Sequence, residues 1–220
     1  MTAPAQPRRE SLYATRSSAG ALLGQQLASR GYVDCILLGL TPEGVEIAAH
    51  AAKAMGGPFD VLVASFIRLG SNLAPIGAIA ESVPSEMDPD FQPGGNLLDK
   101  LAAAIDESRA RVSQDVVLYR TQRPVRKLAG RTAVIIDGQV IWPWKVLAAA
   151  KAAMLLGAKQ AIIATPVATQ DAAERIYARR IEFVCPSIVM DKTGHPSPYG
   201  DMAGDTPERL RSIMIAHQAA

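Results

Sequence analysis

Gly130-Arg-Thr-Ala-Val-Ile-Ile-Asp137-Gly138-Gln-Val-Ile-Trp142-Pro143-Trp144-Lys145-Val-Leu147, then an alanine-rich run and Ala161 to Val167, decides the fold. Ala133 to Ile136 is short, apolar and rich in β-branched residues, which suits a strand buried on both faces. It stops at Asp137-Gly138. From Lys145 to Leu156 polar side chains are scarce and Ala, Leu and Met abound, so this stretch predicts a buried helix. Gly157 closes it with a residue that tolerates positive φ, and Ala161 to Ala164 is the next strand. The whole is one βαβ unit with an acidic residue at the carboxyl end of its first strand. In an open α/β sheet, that end and the following helix N-terminus form the usual ligand crevice.

The rest of the chain repeats the same rhythm. Ser17 or Ser18 is placed to cap a helix running to about Ser29, and Gly31 ends it. Val33 to Leu40 reads as a strand, Val45 to Met55 as a helix, and Phe59 to Phe66 as a second strand, the order of a parallel sheet. Residues 67–95 break the pattern with Gly70, Pro75, Gly77, Pro84, Pro89, Pro93 and Gly94-Gly95. They predict a flap, with Ile76 to Ala80 a short strand inside it. Leu97 to Tyr119 returns to helical spacing through Leu101, Ile105, Val112 and Val116. Asp171 to Arg179 reads as a helix, Ile181 to Val184 as a strand, and Thr206-Pro207-Glu208 opens a terminal helix. Residues 1–10 are a polar arm, and 11–220 form one domain.

Composition narrows the function. A chain of 220 residues with 49% hydrophobic side chains buries one sizeable core. A net charge of +2 is too small for a dedicated nucleic-acid or membrane binder. Arg120, Arg123, Arg126, Lys127 and Arg131 form a basic stretch, but no helix-turn-helix or aromatic RNA-binding pattern accompanies it, so it reads as a solvated loop. Cys35 and Cys185 each sit in an apolar run, as buried thiols of a reducing compartment do. No apolar run approaches about 18 residues, and Met1 to Glu10 offers no signal-peptide core. A cytoplasmic protein is expected. His50, His195 and His217 are isolated and share no metal-ligand spacing.

Several stretches resemble bacterial type I phosphoribosyltransferase-like proteins. They are Tyr13-x-x-Arg16-x-x-Ala19-Gly20, Leu40 to Ala48, Ile76-Gly77-Ala78-Ile79-Ala80, Tyr119 to Asp137, and Tyr199-x-Asp201. Their shared order covers nearly the whole chain. The resemblance implies a mostly parallel sheet flanked by helices, a flap over the site, and a homodimer. It also implies transfer of a phosphoribosyl group from phosphoribosyl pyrophosphate with magnesium.

The resemblance fails where that chemistry would occur. Family enzymes end the strand matching Ala133 to Ile136 in two acidic residues that hold the ribose hydroxyls, and a Thr-Gly-x-Thr loop then cradles the 5′-phosphate. Here Asp137 fills the first acidic position and Gly138 the second, and the loop reads Trp142-Pro143-Trp144-Lys145. A phosphate cradle needs backbone N–H groups, small residues and hydroxyl donors. Pro143 removes an N–H and the indoles are bulky. In the pyrophosphate loop Pro-Arg-Gly-Gly-Val is replaced by Thr41-Pro42-Glu43-Gly44-Val45, which exchanges a cation for a carboxylate. The next strand ends in Ser65-Phe66 where Arg-Lys is usual. At an effective dielectric of about 20, one like-charge contact near 4 Å costs about 4 kcal/mol, roughly a thousandfold in affinity.

The candidate ligand or partner site is therefore Asp137, Gly138, Trp142, Trp144, Lys145, Glu43, Gly44 and Ser65. Asp137 reads either as a ligand to a polar group or as a cap on its own loop. The tryptophans read either as an aromatic surface for a ligand or partner or as filler for the space a phosphate would occupy. Glu43 reads as an acid–base group or as a carboxylate favoured by a helix start. Three functions stay open. One is a binding or assembly subunit that has lost phosphoribosyl chemistry, with a protein partner at Trp142 and Trp144. Another is an active transferase in which Asp137 holds ribose, Lys145 the 5′-phosphate, and magnesium assists. The last is an enzyme on a flat, non-phosphorylated substrate stacked on the indoles.

Overall fold

In the computed structural model, which describes residues 11–32, 34–40, 42–120, 127–190, 198–200 and 206–216, the apolar runs assemble a five-stranded parallel sheet. In chain order come α1 (Arg16–Ser29), β1 (Cys35–Leu40), α2 (Glu43–Met55), β2 (Phe59–Leu62), β3 (Ala64–Ile67), β4 (Gly77–Ala80) and β5 (Glu86–Met87). Next are α3 (Leu97–Arg120), β6 (Thr132–Ile136), β7 (Gln139–Val140), α4 (Trp144–Leu155), β8 (Gln160–Ala164) and β9 (Val167–Thr169). Then follow α5 (Gln170–Ala178), β10 (Glu182–Val184), β11 (Ser187–Val189) and α6 (Pro207–Ala216).

The sheet runs β10-β8-β6-β1-β2, with every neighbouring pair parallel. Its strands are apolar along most of their length because helices cover both faces, with the buried Asp60 of the edge strand β2 an exception. Leu37, Val61, Val134 and Ile162 pack with residues of α1 and α2, while Ile36, Leu38, Ile135 and Ile163 pack with α4 and α5. The chain leaves β1 in one direction and β6 in the other, so the strand order reverses between them. Ligands of open α/β sheets bind at the carboxyl ends flanking such a reversal. Asp137-Gly138 and residues 42–44 lie there.

Several local expectations need correction. The strand expected from Phe59 to Phe66 is two strands in different sheets. It breaks at Val63, where the buried Glu81 carboxylate accepts from the Val63 N–H at 3.1 Å and the Glu81 N–H donates to the Val63 carbonyl at 3.0 Å. Beyond that break β3, β4 and β5 form an antiparallel sheet, in which β4 is the short strand expected within residues 67–95. Its Ala78 and Ala80 pack in one cluster with Val146, Ala149 and Ala153 of α4. That face of the aliphatic helix thus finds cover within the chain.

The small strands β7, β9 and β11 have no counterpart in the sequence reading. Each prolongs one main strand after a break at Asp137-Gly138, Thr165-Pro166 or Cys185-Pro186, and they pair in the same relative order. At two or three residues each they are too short to show alternation. Helix α1 starts earlier than expected: Thr15, not Ser17 or Ser18, is the cap, in a capping box closed by Ser18. Cys35 is buried and Cys185 half-buried, both as free thiols. Among the described residues no helix is long and apolar enough to cross a membrane. The residue 1–10 arm, Thr41, Arg123, Arg126, His195, Asp201, His217 and the side chain of Arg120 lie outside the described residues.

Candidate functional site

The crevice is built from two loops that touch. Gly44, at the start of α2, faces the end of β6: a Cβ there would lie 2.2 Å from the Ile136 carbonyl oxygen and 3.0 Å from the Asp137 Cα. Only glycine allows that approach. Gly138 returns the contact, because a Cβ on it would stand 2.7 Å from the Glu43 Cβ. A second carboxylate side chain at position 138 therefore has no room while Glu43 keeps its place.

Asp137 and Lys145 satisfy each other across this loop. The Lys145 Nζ lies 3.0 Å from Asp137 Oδ2, with the two residues 8% and 3% exposed. The other carboxylate oxygen accepts the Gly138 N–H at 2.9 Å. Lys145 also sits 5.4 Å above the Phe66 ring centroid, a cation–π contact. A cation in the first turn of α4 opposes the helix dipole, and the paired carboxylate offsets that cost. Pro143 occupies the cap position of α4 and makes no side-chain cap hydrogen bond. Both Asp137 oxygens are thus engaged by N–H donors, so these residues as arranged do not fit a magnesium ion. Among the described residues no three His, Cys, Asp or Glu side chains converge as a metal-binding group.

The carbonyls of the loop are also taken. Thr165 donates its hydroxyl to the Asp137 carbonyl at 3.0 Å, and Tyr199 donates to the Gly138 carbonyl. Tyr199 reaches this position because residues 198–200 bridge to Tyr13, whose N–H donates to the Pro198 carbonyl at 3.0 Å. The Tyr13 hydroxyl in turn donates to the Pro166 carbonyl at 3.0 Å, and the two rings lie 6.1 Å apart. Burial pushes the Tyr199 phenol well above its ordinary value, with Tyr13, Asp137 and Glu43 acting in the same direction and Arg16 against it. A neutral, hydrogen-bonded phenol is therefore fixed over the strand end.

The two tryptophans part company. Trp144 is core, 3% exposed, beneath the Arg175 guanidinium at 5.4 Å, and its Nε1 has no partner among the described residues. Of the two readings left open, this burial favours filler: as the first residue of α4 it packs into the cluster that contains Ile36 and Leu38. Trp142 is half-buried. It meets Phe66 edge-on at 6.2 Å, and Arg68 lies over both rings at 5.2 and 5.1 Å. Ser65 is buried on β3 opposite Ile79, and strand alternation puts Phe66, not Ser65, on the side of Trp142 and Lys145. Phe66 and Arg68 are the site residues that sequence reasoning missed. The alternation of Ser65-Phe66-Ile67-Arg68 was available as a signal, but it is readable only once β3 is known to be a separate strand.

No known family profile matches the chain. Two Mycobacterium tuberculosis proteins, from strains CDC 1551 and H37Rv, each named "Putative phosphoribosyl transferase", are 30% identical to it over 178 residues. The match covers 79% of this chain and 40% of each relative, so the chain spans well under half their length. Among solved structures, TT1426 from Thermus thermophilus is 28% identical, with a TM-score of 0.77 over 93% of this chain and 98% of that one. The AQ2163 protein from Aquifex aeolicus, 12% identical with a TM-score of 0.51 over 89% of this chain and 84% of that one, shares the fold.

Proposed function

We propose that this chain, which is phosphoribosyltransferase-like in sequence and fold, is a binding subunit that no longer carries out phosphoribosyl transfer. The buried 3.0 Å pair between Lys145 and Asp137 carries this reading. A ribose hydroxyl on Asp137 or a phosphate on Lys145 has to break that pair, and each liberated charge then has to be matched in a buried setting. Glu43 against Gly138 adds a carboxylate where a pyrophosphate would approach, and Pro143 withholds an N–H where a phosphate would be cradled. What remains accessible is the half-buried Trp142, flanked by Phe66 and Arg68. That is the surface on which the reading places a protein partner.

Calorimetry with phosphoribosyl pyrophosphate and magnesium tests the reading directly. No saturable binding is expected at ligand concentrations of about 1 mM. A dissociation constant of tens of micromolar overturns it. That result would favour the alternative, an active transferase in which Lys145 swings from Asp137 to the 5′-phosphate. The buried ammonium in the first turn of α4 is the observation behind that alternative.

A further inference from the structure

Helix α3 and the end of β3 enclose a second cavity, and none of its lining residues belongs to the 137–145 loop. Its volume is about 760 Å³, within the size of small-molecule sites. The helix supplies one face: Lys100, Ala104, Glu107, Ser108 and Arg111 recur at spacings of three and four. The opposite wall is Phe66, Arg68 and the turn at Gly70-Ser71, closed by the Leu73 N–H donating to the Gly70 carbonyl at 3.1 Å. Ser108 fastens the two walls by donating to the Phe66 carbonyl at 3.0 Å. The small side chains of Ala103 and Ala104 leave the space between the walls open.

Its charge is lopsided. Arg68, Lys100 and Arg111 line it, against one carboxylate, Glu107, which pairs with Arg111 at 2.8 Å on the exposed side. Among the described residues no carboxylate pairs with Arg68 or Lys100. Arg68 instead donates to the Leu73 carbonyl at 2.6 Å and lies over the Phe66 and Trp142 rings. Burial, together with Arg111 nearby, pushes the Arg68 guanidinium below its ordinary value. Arg111 is offset by Glu107 and by Asp115 nearby, whereas Arg68 and Lys100 add two cations to the same space, and that net positive charge suits an acceptor-rich dianion.

We propose that the cavity between β3 and α3 binds a small phosphate-bearing anion, held by Arg68, Lys100 and Arg111. The site shares Phe66 and Arg68 with the surface beside Trp142 but includes none of Glu43, Asp137 and Lys145, so it stands or falls independently of whether phosphoribosyl chemistry is lost there. Because Arg68 lies over the Trp142 ring, occupation of the cavity is read out by that indole.

The experiment titrates the full chain with inorganic phosphate and with glycerol 3-phosphate at low ionic strength, following tryptophan emission and heat. Saturation at or below about 1 mM is expected, weakening as salt screens the cations. Arg111→Gln and Lys100→Gln, both on the exposed face of α3, should each weaken binding about tenfold, the loss of one charge-assisted contact. Circular dichroism checks that both variants fold. Glu43→Gln distinguishes the two sites: it leaves affinity unchanged if the anion sits between β3 and α3, and strengthens it if the anion sits in the crevice. No saturation below about 10 mM, unchanged affinity in both α3 variants, or tighter binding in Glu43→Gln would each overturn the proposal.

Discussion

Replacing Lys145 by Met keeps the length of the side chain and removes its charge, leaving Asp137 buried with one N–H donor, that of Gly138. At 3.0 Å and an effective dielectric of about 20, the gross attraction is about 5–6 kcal/mol, most of it offset by the desolvation of both groups. The net worth of the pair is therefore small, but the cost of breaking it is not. Removing one partner of a buried pair typically costs about 3–5 kcal/mol. For a chain of this size the lower figure lowers Tm by about 6–12 °C. Asp137→Asn with Lys145→Met removes both charges and should restore stability to within about 1–2 kcal/mol of the native chain. Urea denaturation of the four proteins of this cycle, followed by circular dichroism, gives the coupling energy. A Lys145→Met variant within about 0.5 kcal/mol of the parent, with additive effects in the double variant, would refute an internally satisfied pair. It would also remove the main support for a crevice closed to phosphoribosyl pyrophosphate.

Tryptophan emission should resolve into two classes. Trp142→Phe leaves Trp144 alone, with blue-shifted emission resistant to acrylamide, whereas Trp144→Phe leaves a redder, quenchable Trp142; the reverse assignment would contradict the burial pattern. Trp144→Ala should cost about 3–5 kcal/mol in denaturant unfolding, and Trp142→Ala distinctly less. The Tyr199 phenol is held above its ordinary value of 10.0, so the unfolded chain releases that proton first as the solution becomes alkaline. Its stabilising contribution is complete below about pH 10 and is lost as pH rises above it. Stability measured between about pH 9 and 11 should fall less steeply in Tyr199→Phe than in the parent, and identical slopes would count against a buried phenol.

The sequence by itself determined the βαβ rhythm, because strands buried on both faces must be continuous apolar runs, and Thr132–Ile136, Cys35–Leu40 and Gln160–Ala164 are close to that. It also placed Asp137 at the carboxyl end of its strand and Gly44 in the turn after another, since turn residues punctuate those runs, whereas the reversal of strand order between them came from the fold. That Glu43 and Trp142-Pro143-Trp144-Lys145 stand where the resemblance would put cationic and hydroxyl residues was legible too, as a matter of residue identity at fixed offsets. Only the tertiary structure decided which of those residues meet. Lys145 and Asp137 are eight positions apart, and nothing in their spacing says that one closes back on the other. Trp142 and Trp144 look alike in the sequence, yet one lies against Phe66 and Arg68 at the surface and the other is sealed beneath Arg175, because α4 begins between them. Val63 reads as the middle of one strand, and its break depends on a buried carboxylate from position 81, held there by the antiparallel pairing of β3 with β4. Local patterns encode where the chain can turn and what it must bury, whereas ion pairs, stacked cations and sheet changes depend on which distant atoms share one space.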